Sequence, residues 1–201
     1  MRKTSIAILA KAPVAGFAKT RLIPAIGAHA AAVLQERLTE RAVETAVAAG
    51  LGAVTLWCAP DPSHPSFRDL VVRHGIALKR QPEDDLGARM LGAFAPGPTL
   101  VIGTDCPAIT VEHLRAAASA LDDADIVLIP AEDGGYVLIG ARTAQPQLFS
   151  AIAWGTATVM AETRARIAAL RLDAAELPAL WDVDTEDDLA RCGRMFPEMA
   201  L

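Results

Sequence analysis

Between Lys11 and Leu22 the chain runs K-A-P-V-A-G-F-A-K-T-R-L, which gathers Lys11, Lys19 and Arg21 around Gly16 in one short loop. Ammonium and guanidinium groups beside a glycine suit the oxygens of a di- or triphosphate. The cations supply charge and donors, and a residue without Cβ lets the backbone come close. Thr20 sits between the charged positions, and Lys19 and Arg21 are the pair expected on a phosphate leaving group, with Lys19 in a catalytic role. The loop is not a P-loop, because Ala18 stands where that motif requires the glycine before its Lys-Ser/Thr pair.

A second cluster is G-T-D-C-P, residues 103–107. Its Asp105 is expected to hold Mg²⁺ or Mn²⁺, hard cations that take oxygen ligands and share them with substrate phosphates. The plainer reading is an Asx-turn or helix-start aspartate. Pro107 stiffens the exit from this segment, through a peptide bond whose isomer the sequence leaves open. The third cluster, A-E-D-G-G-Y at 131–136, reads either as a hairpin turn or as part of a site. The company of the other two clusters favours the site. Asp133, ahead of Glu132, is then the carboxylate expected to touch a sugar and to serve as a base, beside Gly134 and Gly135.

Two further segments carry weaker signals. Q-P-E-D-D-L-G-A-R-M, residues 81–90, offers Asp85, Gly87 and Arg89 as contacts to a base or a diphosphate, although helix starts collect acids for electrostatic reasons alone. D-V-D-T-E-D-D-L, residues 182–189, is mostly a capping signal centred on Thr185. Asp182 and Asp184 precede that helix at alternating positions, so one of them can face a ligand, and Asp184 is the expected second metal ligand. The four histidines show no ligand spacing and read as surface residues. Trp154 reads as a core residue first and as a wall of an acceptor pocket second.

These clusters need a frame. Short apolar or β-branched runs at 5–10, 53–58, 76–79, 99–102, 125–129 and 136–139 read as strands. They alternate with helical stretches at 28–49, 65–74, 85–94, 110–120, 156–170 and 185–195, several of them bounded by Gly50, Thr110 and Thr185. Continuous apolar strands separated by helices predict an α/β fold, a mostly parallel central sheet with helices on both faces. In such a sheet ligands bind beyond the carboxyl ends of the strands, and that is where the clusters fall.

The 201 residues fit one domain, residues 1–201, and 52% of them are hydrophobic with only 4% aromatic, so the core is built from Ala, Leu, Val and Ile. A net charge of −5 speaks against a nucleic-acid partner. The three cysteines lack metal-ligand spacing and suit a reducing compartment. No apolar run is long enough for a signal peptide core or a membrane span. The expectation is a cytoplasmic protein with no membrane partner.

In order and spacing, K-A-P-V-A-G-F-A-K-T-R-L, D-L-G-A-R-M, G-T-D-C-P, A-E-D-G-G-Y, W-G-T and D-V-D-T-E-D-D-L resemble the DUF2064 transferases. That family is associated with radical-SAM and selenodomain proteins and described as glycosyltransferases of arsenosugar biosynthesis. The resemblance covers nearly the whole chain and implies the GT-A, nucleotide-diphospho-sugar transferase fold. It also implies a phosphate loop at Lys11, Gly16, Lys19 and Arg21, a metal on Asp105, and a sugar near Asp133, Gly134 and Gly135. The chain departs from the pattern at Asp84, where a Gly is common, at Gly155 for a Ser, and at Glu186 for a Pro. The K-T-R-L loop and the D-V-D-T ending also resemble small nucleotidyltransferases, including the phospholactate guanylyltransferases.

The expected function is therefore metal-dependent transfer from a nucleotide substrate. Glycosyl transfer from a nucleotide sugar to a small-molecule acceptor comes first. The alternative is nucleotidyl transfer, joining a nucleoside triphosphate (NTP) to a sugar phosphate or phospho-acid with release of pyrophosphate. A nucleotide-binding module without turnover is the remaining reading; Asp105 together with a complete cationic loop counts against it.

Overall fold

A computed structural model describes residues 3–199; the ends of the expected 1–201 domain lie outside the described residues. Among them seven strands form one sheet: β1 (Ser5–Lys11), β2 (Val54–Ala59), β3 (Ala77–Arg80), β4 (Thr99–Ile102), β5 (Ile126–Pro130), β6 (Tyr136–Ala141) and β7 (Ala174–Glu176). The order across the sheet is β3-β2-β1-β4-β6-β5-β7. Only β6 runs against its neighbours: β1 pairs in parallel with β2 and β4, β2 with β3, and β5 with β7, whereas β6 is antiparallel to both β4 and β5. The mostly parallel sheet expected from the sequence is the sheet observed.

Six helices cover it: α1 (Ile23–Ala49), α2 (Pro65–His74), α3 (Leu86–Ala93), α4 (Val111–Asp123), α5 (Val159–Ala169) and α6 (Glu186–Met195). Alternate strand residues point to opposite faces. Ile6, Ile8, Leu56, Leu100, Ile102 and Val127 therefore pack on one side with Val43, Phe67 and Leu114 of α1, α2 and α4. Ala7, Val101, Ile126, Leu128 and Ile139 pack on the other with Met90, Phe149, Met160 and Ile167, which brings in α3 and α5. Both faces are dry, which is why the strands read as unbroken apolar runs rather than as alternating ones. A third cluster, Leu22, Leu34, Leu38, Trp181, Val183 and Cys192, ties α1 to α6 and to the segment before it.

The helix expected at 28–49 starts where it does because Gly27 is non-helical (φ 80°, ψ 159°), which separates a short first turn from the long rod that Gly50 (φ 66°) ends. Thr110 and Thr185 cap α4 and α6 as expected, each with a reciprocal partner, His113 and Asp188. The helix expected from residue 156 begins only at Val159, since the Thr156 hydroxyl bonds the carbonyl of Ala153 and the Thr158 hydroxyl in a preceding turn. Strand β7 was not expected. It is three residues, Ala-Ala-Glu, held at the sheet edge through β5 alone, so no side-chain pattern marks it. The bond before Pro107 is trans, and the cis proline bond among the described residues is Ala59–Pro60.

Candidate active site

Strand order reverses between β1 and β4: β1 leads outward to β2 and β3 on one side, and β4 opens the other half of the sheet. In open α/β sheets ligands bind at such a reversal, beyond the carboxyl ends of the strands. Here the loop after β1 and the loop after β4 flank a cleft of about 580 Å³. Lys11, Lys19, Thr20 and Arg21 come from the first loop, and Gly103, Thr104 and Asp105 from the second. Arg89 of α3, Tyr136 at the start of β6, Asp182 and Asp184 before α6, and the amides of Gln35 and Gln81 also line the cleft.

The charges are in contact. Lys19 Nζ lies 2.6 Å from Asp105 Oδ1 and 3.7 Å from Asp184 Oδ1, and donates to the backbone carbonyl of Val183 at 2.8 Å. Arg21 reaches the other oxygen of Asp184 at 3.0 Å. The two carboxylate segments are joined through the main chain as well, with the Val183 amide donating to the Asp105 carbonyl at 2.9 Å. Val183 is fully buried in the α1–α6 cluster, so packing on that side sets where Asp182 and Asp184 emerge. Asp188 holds the start of α6, accepting from the amides of Asp184 and Thr185. The capping reading of the 182–189 segment is therefore right for Thr185 and Asp188, and it leaves the carboxylates of Asp182 and Asp184 to the cleft.

Asp182 has its pKa pushed up to about 7, first by burial and then by the negative charges of Asp105 and Asp133. The acids of three strand-end segments thus share one field. Among the described residues no group of three or more His, Cys, Asp or Glu side chains is arranged as a ready metal cage. Magnesium does not need one, since it keeps waters and binds through one or two carboxylates plus substrate phosphates. Asp105 and Asp184 already hold a cation between them, the Lys19 ammonium. As carboxylate oxygens facing a common cation, they have the chemistry that a hard divalent ion takes.

The remaining expected residues fall elsewhere. Gly16 is exposed, outside the cleft lining, at φ 87° with open space around it. Asp85 caps α3, accepting from the Ala88 amide at 2.8 Å, which is the helix-start role weighed against ligand binding. Gly87 is a packing position: a Cβ there would lie 2.5 Å from the Phe149 carbonyl and 2.8 Å from the Trp154 ring. Of that motif Leu86, Arg89 and Met90 line the cleft, and the Arg89 guanidinium is braced on the Asp84 carbonyl. The A-E-D-G-G-Y segment is the β5–β6 hairpin: Asp133 accepts from the Gly135 amide at 2.9 Å, and Gly134 turns at φ 92° against the Ala157 backbone. Its tip still lies at the cleft end of the sheet, close enough for Asp133 to act on Asp182. Glu132 is spent on Arg191 by two hydrogen bonds.

Sequence reasoning missed Gln35 and undervalued Gln81. Gln35, in the middle of α1 and buried, donates to Thr104 Oγ1 at 3.0 Å and to Thr39 Oγ1 at 3.2 Å, so it braces the residue next to Asp105. The available signal was an amide on an otherwise apolar helix face. Gln81 spends its NH₂ on the carbonyls of Ala10 and Trp57, at 3.0 and 2.8 Å. His64 and His113 serve helix starts. A further cavity, about 850 Å³, lies at the opposite end of the sheet, and its arginines, Arg115 and Arg142, are engaged by carbonyls at the ends of α1 and α4. No helix among the described residues is long and apolar enough to cross a membrane.

Comparison with known proteins agrees with this fold. A solved candidate nucleotide-diphospho-sugar transferase of Desulfovibrio desulfuricans G20 is 28% identical, matches with a TM-score of 0.87, and aligns over 97% of this chain and 88% of its own. A nucleotidyl transferase of Methanothermobacter shares the fold at 14% identity and TM-score 0.65, over 99% of this chain and 100% of its own. A Mycobacterium tuberculosis H37Rv protein solved in complex with manganese does so at 18% identity and TM-score 0.55, over 94% and 97%. Among curated proteins none matches the chain significantly. The family described as an uncharacterized protein conserved in bacteria, DUF2064, matches residues 42–156. That span is more than half of the chain and runs from the last two turns of α1 through the β4 loop and the β5–β6 hairpin, so the protein belongs to the DUF2064 family.

Proposed function

We propose that this protein is a metal-dependent transferase that acts on a nucleotide sugar and passes the sugar to a small acceptor. The observation that carries the reading is the convergence of Lys19 and Arg21 with Asp105 and Asp184 at the β1–β4 reversal. Cations that bind a diphosphate and carboxylates that bind a metal meet in one cleft. The Desulfovibrio protein, described as a candidate nucleotide-diphospho-sugar transferase, supports the substrate class, and the manganese complex of the mycobacterial protein supports the metal. A divalent ion, Mg²⁺ or Mn²⁺, would be held by Asp105 and Asp184 and would neutralise charge on the diphosphate.

In this reading Lys19 and Arg21 stabilise the nucleoside diphosphate as it departs with the electron pair of the broken bond to the anomeric carbon. The acceptor hydroxyl forms the new bond to that carbon. Its proton passes to Asp133, at the tip of the β5–β6 hairpin beside the cleft end of the sheet. Tyr136 and Arg89 border the space left for sugar and acceptor.

The same cationic pair also suits the pyrophosphate of a nucleoside triphosphate, and the Methanothermobacter nucleotidyl transferase gives a second reading. One assay separates them. The protein is incubated with Mn²⁺ and either nucleotide sugars with small acceptors or nucleoside triphosphates with sugar phosphates. Release of nucleoside diphosphate is the expected result, release of pyrophosphate establishes the second reading, and metal-dependent nucleotide binding without either product would leave a binding module.

A further inference from the structure

Lys19 is almost wholly enclosed in the cleft. Its side chain is 4% exposed, against 47% for Asp105 and 37% for Asp184. An ammonium has three donors, and this one faces three oxygens, on Val183, Asp105 and Asp184. Its main chain is equally fixed. Lys19 adopts a left-handed conformation (φ 47°, ψ 44°) that a side-chain-bearing residue seldom takes, between the buried Ala18 and the short helical turn Thr20–Leu22. The fold, rather than a free choice of rotamer, puts this cation between the carboxylates.

That placement has a cost for a metal. A divalent ion bound to Asp105 or Asp184 would stand within a few ångströms of the ammonium and compete with it for the same oxygens. At such separations like charges repel strongly, because the partly buried setting weakens solvent screening. An anionic phosphate changes the balance: it draws the ammonium toward itself and places negative charge between the two cations.

We infer that Lys19 is the resident counter-ion of the Asp105–Asp184 pair, so that a divalent metal binds poorly alone and binds together with nucleotide phosphate as one unit. This rests on the reading that the cleft takes a nucleotide with a metal, and it adds an order of binding and a second task for Lys19. By linkage, the metal raises nucleotide affinity by the same factor by which the nucleotide raises metal affinity. The free protein is then kept from filling its carboxylates with metal before substrate arrives.

The test is titration of the full chain with Mn²⁺ alone, read by electron paramagnetic resonance or calorimetry, in wild type, Lys19→Met and Lys19→Arg. It is repeated with UDP, GDP, CDP and ADP in turn. Lys19→Met is expected to bind Mn²⁺ alone about tenfold or more tightly than wild type, Lys19→Arg to stay near wild type, and coupling between Mn²⁺ and nucleotide to fall in Lys19→Met. Equal Mn²⁺ affinity in wild type and a folded Lys19→Met overturns the inference while leaving the function intact if Mn²⁺–nucleotide still binds. Failure of wild type to bind any of the nucleotides, with or without Mn²⁺, overturns the functional reading instead, and the Mn²⁺-only comparison still decides the role of Lys19. Should Lys19→Met not fold, the wild-type Lys19 ammonium signal in ¹H–¹⁵N spectra gives the answer. It is expected to hold still with Mg²⁺ alone and to move with Mg²⁺ plus nucleotide; movement with Mg²⁺ alone overturns the inference.

Discussion

The ammonium of Lys19 lies 2.6 Å from the carboxylate of Asp105, although one residue follows β1 and the other follows β4. They meet because β1 and β4 pair in parallel with Ile8 level with Ile102, so both strands deliver their next residues to the same edge of the sheet. The pair is a consequence of register, and it defines the centre of the cleft.

Asp105→Asn should abolish metal-dependent nucleotide binding and leave the fold in place. The amide keeps an oxygen for Lys19 but no longer offers a charge to a divalent ion, and the Lys19 ammonium retains Asp184 and the Val183 carbonyl. Nucleotide titration with and without Mn²⁺, alongside a thermal melt, checks both halves. Unchanged Mn²⁺-dependent affinity would remove Asp105 from the site.

Gln35→Leu should destabilise the protein by about 1–3 kcal/mol, the usual cost of leaving a buried hydroxyl unpaired; Thr104 loses its partner, while the Thr39 hydroxyl still donates to the carbonyl of residue 35. It strips Thr39 and Thr104 of a common donor. Because Thr104 adjoins Asp105, Mn²⁺–nucleotide affinity should fall as well. Urea denaturation gives the first quantity and titration of the folded variant the second; a variant as stable as wild type would mean the network is not holding the loop.

Asp182→Asn should stabilise the metal-free protein, and by an amount that depends on pH. The folded-state pKa is raised from an ordinary 3.8 to about 7, so between those values the folded chain keeps a proton that the unfolded chain has lost. The stability linked to Asp182 is fully present below about pH 4, declines as pH rises toward 7, and stays low above. The variant lacks this decline. It should exceed wild type by on the order of 2–4 kcal/mol above pH 7, at about 1.4 kcal/mol per pKa unit, and by little at pH 4. Urea melts in EDTA at the two pH values test this, and an equal gap at both would contradict it.

The thiols of Cys58 and Cys106 should be inert in the folded protein. Burial, with help from Asp61 and Asp182 respectively, pushes both pKa values up to about 12, so the reactive thiolate is scarce at pH 8. A thiol-disulfide reagent such as DTNB should label them only after unfolding. Fast labelling of Cys106 under native conditions would show that the segment after Asp105 opens.

Much of this architecture was legible in the chain itself. Apolar runs such as Ser5–Lys11 and Thr99–Ile102 announce buried parallel strands because both faces are covered, and Thr110 and Thr185 announce helix starts because a hydroxyl satisfies free amides. The cationic loop and the aspartate of G-T-D-C-P could be picked out as candidates by type and by their place directly after apolar strands, where open α/β sheets bind ligands. Sequence left the D-G-G and D-L-G segments ambiguous, because a cap, a hairpin and a ligand contact ask for the same residues. Only the fold gave Asp85 to a helix start, Gly87 to the packing of Trp154, and Glu132 to Arg191. Tertiary structure alone also set the partners of Lys19 and the brace of Gln35 on Thr104, for such contacts join elements remote along the chain, and the packing of the sheet and of the buried Val183 is what fixes their distances.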